Sequence, residues 1–115
     1  MNALFMLEDF LRIKGVTKYK LAQLSGMEPN YCYRLLSGRG ANKLDKKKLV
    51  LFGMVLELTE KEINDMLKAG GFKELYSKDE WDGVIIWCMK NKKSIDEVEM
   101  ELHANHLEPL RTFLL

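Results

Sequence analysis

The chain has 115 residues, 47% of them hydrophobic and 30% charged, with a formal net charge of +1. That size fits one globular domain, or one small domain with an appendage, and excludes a large multidomain enzyme. Two prolines and eight glycines are too few for a disordered or low-complexity chain.

The predicted elements are all helices. Residues 3–14 carry Leu4, Leu7, Phe10, Leu11 and Ile13 at helical spacing, and Gly15 ends that helix. Thr17 caps a short second helix over 18–25, with Leu21, Ala22 and Leu24 expected inward. Gly26 takes the turn. Pro29 suits the first position of a third helix, where its missing N–H is not needed. That helix is expected to run to about Ser37, with Gly38 as its stop. After a loop, Asp45 caps a lysine-rich fourth helix that reaches about Leu56. Thr59-x-x-Glu62 is a capping box opening a fifth helix, which Gly70 and Gly71 end. A sixth is expected over 77–91. Ser94-x-x-Glu97 opens a seventh that ends near Asn105. No stretch alternates with period two, so the expected fold class is all-α.

A shift of 35 positions lays Thr59 on Ser94 and Glu62 on Glu97. It also lays Ile63 on Val98, Leu67 on Leu102, Ala69 on Ala104, Phe72 on Leu107 and Leu75 on Leu110. Upstream, residues 49–52 fall on 84–87 and Met54 on Met89. Each copy reads as an apolar helix, a turn, a capped helix and an apolar exit residue. Two such hairpins can stack and cover each other's apolar faces. The bland alternative is that any two amphipathic hairpins align this well.

The near-neutral charge hides an asymmetry. Residues 1–56 hold ten Lys and Arg against four Asp and Glu, whereas 57–115 hold eight against thirteen. A basic N-terminal half points to a polyanionic partner; an uneven solvated surface is the plainer alternative. Cys32 and Cys88 are far apart in apolar surroundings, with no CxxC, which reads as buried, reduced thiols in a cytoplasmic protein. No apolar run is long enough to span a bilayer, so no membrane is expected, and the N-terminus lacks the basic start of a signal peptide.

The chemistry lies in TKYKLAQLSGMEPNYCYRLLSG, residues 17–38. Ala22 is the small residue where two helices approach closely, and Gly26 supplies a turn at positive φ. Met27, Cys32 and Leu35 are the buried anchors of the second helix. Pro29, Asn30, Tyr31, Tyr33 and Arg34 then face outward, with Asn30 and Arg34 one helical turn apart. Such a helix can lie in a DNA major groove, N-terminal end first.

From about Leu7 to Gly71 the chain resembles the XRE family, the helix-turn-helix domain of lambda repressor and Cro. The matching residues are Thr17, Leu21, Ala22, Gly26 and Met27, then Cys32, Leu35 and Gly38, then Leu49, Phe52, Gly53, Leu56 and Leu58. The resemblance implies a five-helix domain that binds operator DNA, usually as a dimer. By position it implies phosphate contacts from Lys18 and Lys20 at the start of helix two, and base reading by Asn30 and Arg34. Arg suits guanine O6/N7 and Asn suits adenine N6/N7. Tyr31, Tyr33 and Pro29 join the base-reading face. Arg39, Lys43, Lys46, Lys47 and Lys48 follow the recognition helix, where cations position the duplex on its phosphates. The sequence departs from the family pattern at Glu28, where Ser or Thr usually caps the recognition helix, and at Tyr33 and Leu36.

Other constellations point nowhere. His103 and His106 lie near a helix end with no cysteine to complete a zinc set, so no metal is expected. The acid-rich stretch 96–101 reads as a solvated face. With no P-loop, no GxGxxG and no Cys–His or Ser–His pair, neither enzyme activity nor a cofactor is expected.

The sequence therefore leads us to expect a DNA-binding domain over 1–76, extended by a C-terminal helical hairpin over 77–115. The expected function is a sequence-specific transcriptional regulator, most simply a repressor, acting on double-stranded DNA as a homodimer. The apolar tail Leu107, Leu110, Phe113, Leu114 and Leu115 is expected to bury across the two-fold axis near Trp87. The alternative is an antitoxin-like or adaptor module whose C-terminal helices capture a partner protein.

Overall fold

In the computed structural model, which describes residues 2–38 and 44–114, every helix begins on a side chain that accepts a backbone N–H from the first turn. Asn2 opens α1 (Ala3–Lys14), Thr17 opens α2 (Lys18–Ser25) and Glu28 opens α3 (Pro29–Leu36). Asp45 opens α4 (Lys46–Val55) and Thr59 opens α5 (Glu60–Ala69). Asp79 opens α6 (Glu80–Lys90) and Ser94 opens α7 (Ile95–Ala104). A single 3-10 turn, Thr112–Leu114, follows. Among the described residues the fold is all-α, with no strand.

The helix α6 starts later than its apolar pattern suggests. Asp79 accepts from the Asp82 amide at 2.9 Å, and the Asp82 carboxylate accepts from the Tyr76 amide at 2.9 Å. The second bond draws residues 76–79 into a turn before the helix.

At the centre lies α4, packed against α2, α5 and α7. Its residues 49–53 are all buried, so it is apolar all round rather than on one stripe. One core of buried residues runs from Ala3 to Leu110, so residues 77–115 join the core of the first half instead of building their own. Leu24, expected inward, is 41% exposed, because α2 spends its contacts on Leu21, Ala22 and Ser25.

The 35-residue correspondence holds at the level of hydrogen bonds. The Leu58 amide donates to the Gly53 carbonyl, and the Lys93 amide to that of Cys88, at 2.9 and 3.0 Å. Glu57 and Lys92 take the same left-handed conformation between the helices, at φ 56° and 52°. Thr59–Glu62 and Ser94–Glu97 both form reciprocal capping boxes. The amides of Phe72 and Leu107 donate to the carbonyls of Leu67 and Leu102. Even the exit residues match. The Leu75 amide donates to the Asn64 side chain at 2.9 Å, and the Leu110 amide to Glu99 at 2.6 Å. Leu75 and Leu110 are both buried.

Within the first hairpin the helices meet at Gly53. A Cβ there would lie 2.5 Å from Ile63 Cγ1. The corresponding positions of the second hairpin, Cys88 and Val98, carry a larger residue on α6 and a smaller one on α7. Gly53→Ala should therefore destabilise by about 1–3 kcal/mol through overpacking. In an Ile63→Ala background the same change should cost less, a coupling that a denaturant double-mutant cycle measures directly.

Candidate nucleic-acid interface

The turn between α2 and α3 rests on Gly26, which holds φ 67° and sends its N–H back to α2. The Met27 amide donates to the Ala22 carbonyl at 2.9 Å. Met27, Cys32, Leu35 and Leu36 are buried and fix α3 against α2. Burial pushes the Cys32 thiol up to about 11, so it is a packing group and not a thiolate at neutral pH.

Glu28 works as the cap of α3 despite being an unusual one. Its two carboxylate oxygens accept from the Asn30 amide at 3.1 Å and the Tyr31 amide at 2.8 Å. These two bonds, with Arg34 as a lesser contributor, hold its carboxyl below the ordinary value of 4.5. A folded-state pKa below the unfolded one gives stability that is complete above 4.5 and fades as pH falls through the lower folded value.

On the outward side, Asn30, Tyr33 and Arg34 are exposed and Pro29 is half-buried. Lys18 and Lys20 at the start of α2 are exposed, and neither forms an ion pair among the described residues. These residues form one face from two adjacent helices. Tyr31 departs from it. Its ring is half-buried, with Phe113 at 5.9 Å between centroids and the Arg34 guanidinium at 6.0 Å. Arg39 and Lys43, expected to meet phosphates, lie outside the described residues, as does Leu115 of the expected tail.

The lysines that open α4 are spoken for. Lys46 pairs with Asp82 at 2.7 Å and sits 5.4 Å from the Trp81 ring centre. Lys47 pairs with Glu108 and lies 5.7 Å from the same ring. Trp81 itself donates to the Glu108 carbonyl at 3.0 Å. Lys48 pairs with Asp45 at 3.0 Å and has only 14% of its side chain exposed. The hydrogen bond to Asp45 raises its pKa, although burial opposes that shift more strongly than any other single effect. Lys46 and Lys47 thus reach from α4 to Asp82 of α6 and to Glu108, while Lys48 pairs with the cap of its own helix.

Within its own chain, the tail packs in several places. Leu110 is 1% exposed inside the core and Phe113 lies on Tyr31. Arg111 pairs with Glu99 and Asp96 at 3.1 and 3.2 Å, and its guanidinium reaches the Gly26 turn, 2.9 Å from where a Cβ would stand. Trp87, the expected partner of the tail, remains 47% exposed. Sequence reasoning missed Asp82, which pairs with Lys46, and Arg111, which Glu99 holds beside the Gly26 turn. The only signal was the position of Glu99, 35 residues after Asn64.

Among the described residues, no cluster of three or more His, Cys, Asp and Glu could hold a metal ion, and no helix is long and apolar enough to cross a membrane. No family model, no curated protein and no solved structure matches the chain.

The ion pairs of Lys46 and Lys47 differ in burial, which separates their energetics. Asp82 has 4% of its side chain exposed, against 77% for Glu108. Removing the Lys46 ammonium strands a buried carboxylate, a loss of up to about 3–5 kcal/mol. Lys47→Ala should cost only about 0.2–1 kcal/mol, as exposed pairs do. Urea unfolding of Lys46→Ala and Lys47→Ala should therefore show clearly unequal losses.

Proposed function

We propose that the chain is a DNA-binding regulator of transcription, with α2 and α3 acting as a helix-turn-helix of the XRE type and α3 lying in the major groove. One observation carries this reading. The face made by Lys18, Lys20, Asn30, Tyr33 and Arg34 is exposed, while the opposite sides of both helices are buried in the core. Unengaged cations at the start of α2 suit phosphates, and an adjacent Asn and Arg one turn apart suit base edges. Lys46 and Lys47 are left out of the DNA contact, because their ammonium groups already have partners.

In this reading the protein is a repressor that carries one reading head per chain. Two chains meet on a two-fold operator, with half-sites spaced by about one DNA turn, some 34 Å. The pair forms on the DNA, since Leu110 and Phe113 are engaged within their own chain.

The salt dependence of binding to duplex DNA tests the assignment residue by residue. Each neutralised phosphate contributes a slope of about −0.9 in log K against log salt. Lys18→Ala should reduce the slope by about that amount on every sequence, whereas Lys47→Ala should leave it unchanged. On a site selected from random oligonucleotides, Arg34→Ala should lose about 1–3 kcal/mol and relax discrimination at one base pair. Binding indifferent to salt, or site preference unchanged by Arg34→Ala, contradicts the reading.

A further inference from the structure

The two hairpins share one backbone design but not one environment. In the first, Leu49, Phe52 and Met66 are fully buried, with α1 lying on α5 and α2 on α4. Their counterparts by the 35-residue correspondence are Val84, Trp87 and Glu101. These three line an open cleft together with Asn105 and Leu107, the counterparts of Gly70 and Phe72. Three of the five cleft positions are thus buried in the first copy, where α1 packs on α5, the helix of Met66, whereas Gly70 is exposed and Phe72 half-buried. Of the tail, Leu107 lines the cleft, while Leu110 and Phe113 are placed in the core and on α3.

We propose that this cleft is a docking site for an amphipathic helix of a partner protein, one that carries a basic residue on the edge of its apolar stripe. The helical form follows from what covers the equivalent strip. The apolar stripe follows from Val84, Trp87 and Leu107. The basic residue follows from Glu101. The first hairpin has apolar Met66 there, but a carboxylate covered without a counter-ion loses hydration with no return. Asp79 and Glu80 also line the cleft and add acid, against Lys78 in the lining and Lys93 over the Trp87 ring. Trp87 is the expected anchor, a large exposed indole flanked by the Lys93 ammonium at 5.5 Å. Helix-in-groove binding of this kind reads anchors at i, i+3, i+4 and i+7.

This proposal is independent of DNA binding, since the cleft shares no residue with the face on α2 and α3. The probe is a helix-stapled peptide with the sequence of residues 2–15, carrying Glu8→Lys and Asp9→Lys to make its polar flank basic. It keeps the apolar stripe of the helix that packs on α5. Added to the full chain with Trp81→Phe, it should shift the emission of Trp87 to the blue and bind in the micromolar range at low salt. Anisotropy of the labelled peptide should show about tenfold weaker binding to Glu101→Lys and to Trp87→Ala. The unsubstituted, acid-bearing peptide should also bind more weakly than the basic one. No binding at high micromolar concentration overturns the proposal, as does equal binding by the parent chain and both variants. Self-association that Trp87→Ala abolishes also overturns it, by making a second copy the occupant. Duplex affinity, followed in the same variants, should stay unchanged; a DNA defect confined to Lys18 or Arg34 variants speaks to the function proposed above and not to the cleft.

Discussion

Three lysines begin α4, at the end of a helix where the peptide dipoles already leave partial positive charge, and the residues that follow are buried on all sides. Each lysine there is unfavourable by about 0.3–1 kcal/mol, and none can escape, because the burial of residues 49–53 fixes the helix. The structure meets this constraint with carboxylates from three places: Asp45 at the cap, Asp82 from α6 and Glu108 from the tail. The last two come from the second hairpin. The central helix therefore requires the C-terminal half both as packing, through α7, and as counter-charge.

That requirement changes the meaning of the charge asymmetry. The basic first half and acidic second half partly neutralise each other inside one chain. What remains outward, besides Arg12 and Lys14 at the end of α1, is a smaller cationic face made by Lys18, Lys20 and Arg34. In the proposed DNA complex, the attraction to phosphates would then be concentrated on α2 and α3 rather than spread over the first half. The same packing places the Arg111 guanidinium beside the Gly26 turn and Phe113 beside Tyr31, so the tail buttresses the α2–α3 pair.

Much of this was legible in the sequence where the cause is local. Caps at Thr17, Asp45, Thr59 and Ser94 mark the starts of α2, α4, α5 and α7, because a side-chain acceptor three residues before a free amide needs no tertiary partner. The hairpin correspondence was visible too, since capping boxes and apolar exit residues recur in register. What sequence could not give was the destination of long side chains. Lys46 finds Asp82 across 36 positions and Lys47 finds Glu108 across 61. Nothing in a lysine run separates a phosphate contact from an internal pair. Tyr31 and Tyr33 look alike in sequence, yet only the tail decides that Tyr31 is half-buried and Tyr33 is not. Trp87 and Phe52 occupy equivalent places, and their different exposure depends on which hairpin has neighbours.

On the proposed function, one small face on α2 and α3 meets DNA while the cations of α4 hold the protein together. Backbone amide chemical shifts during titration with a short duplex at low salt address it directly. Shifts should concentrate at residues 17–20 and 28–34, with residues 46–48 and 80–107 left in place. Shifts centred on the start of α4 or on the second hairpin, or no shifts at all, would contradict it.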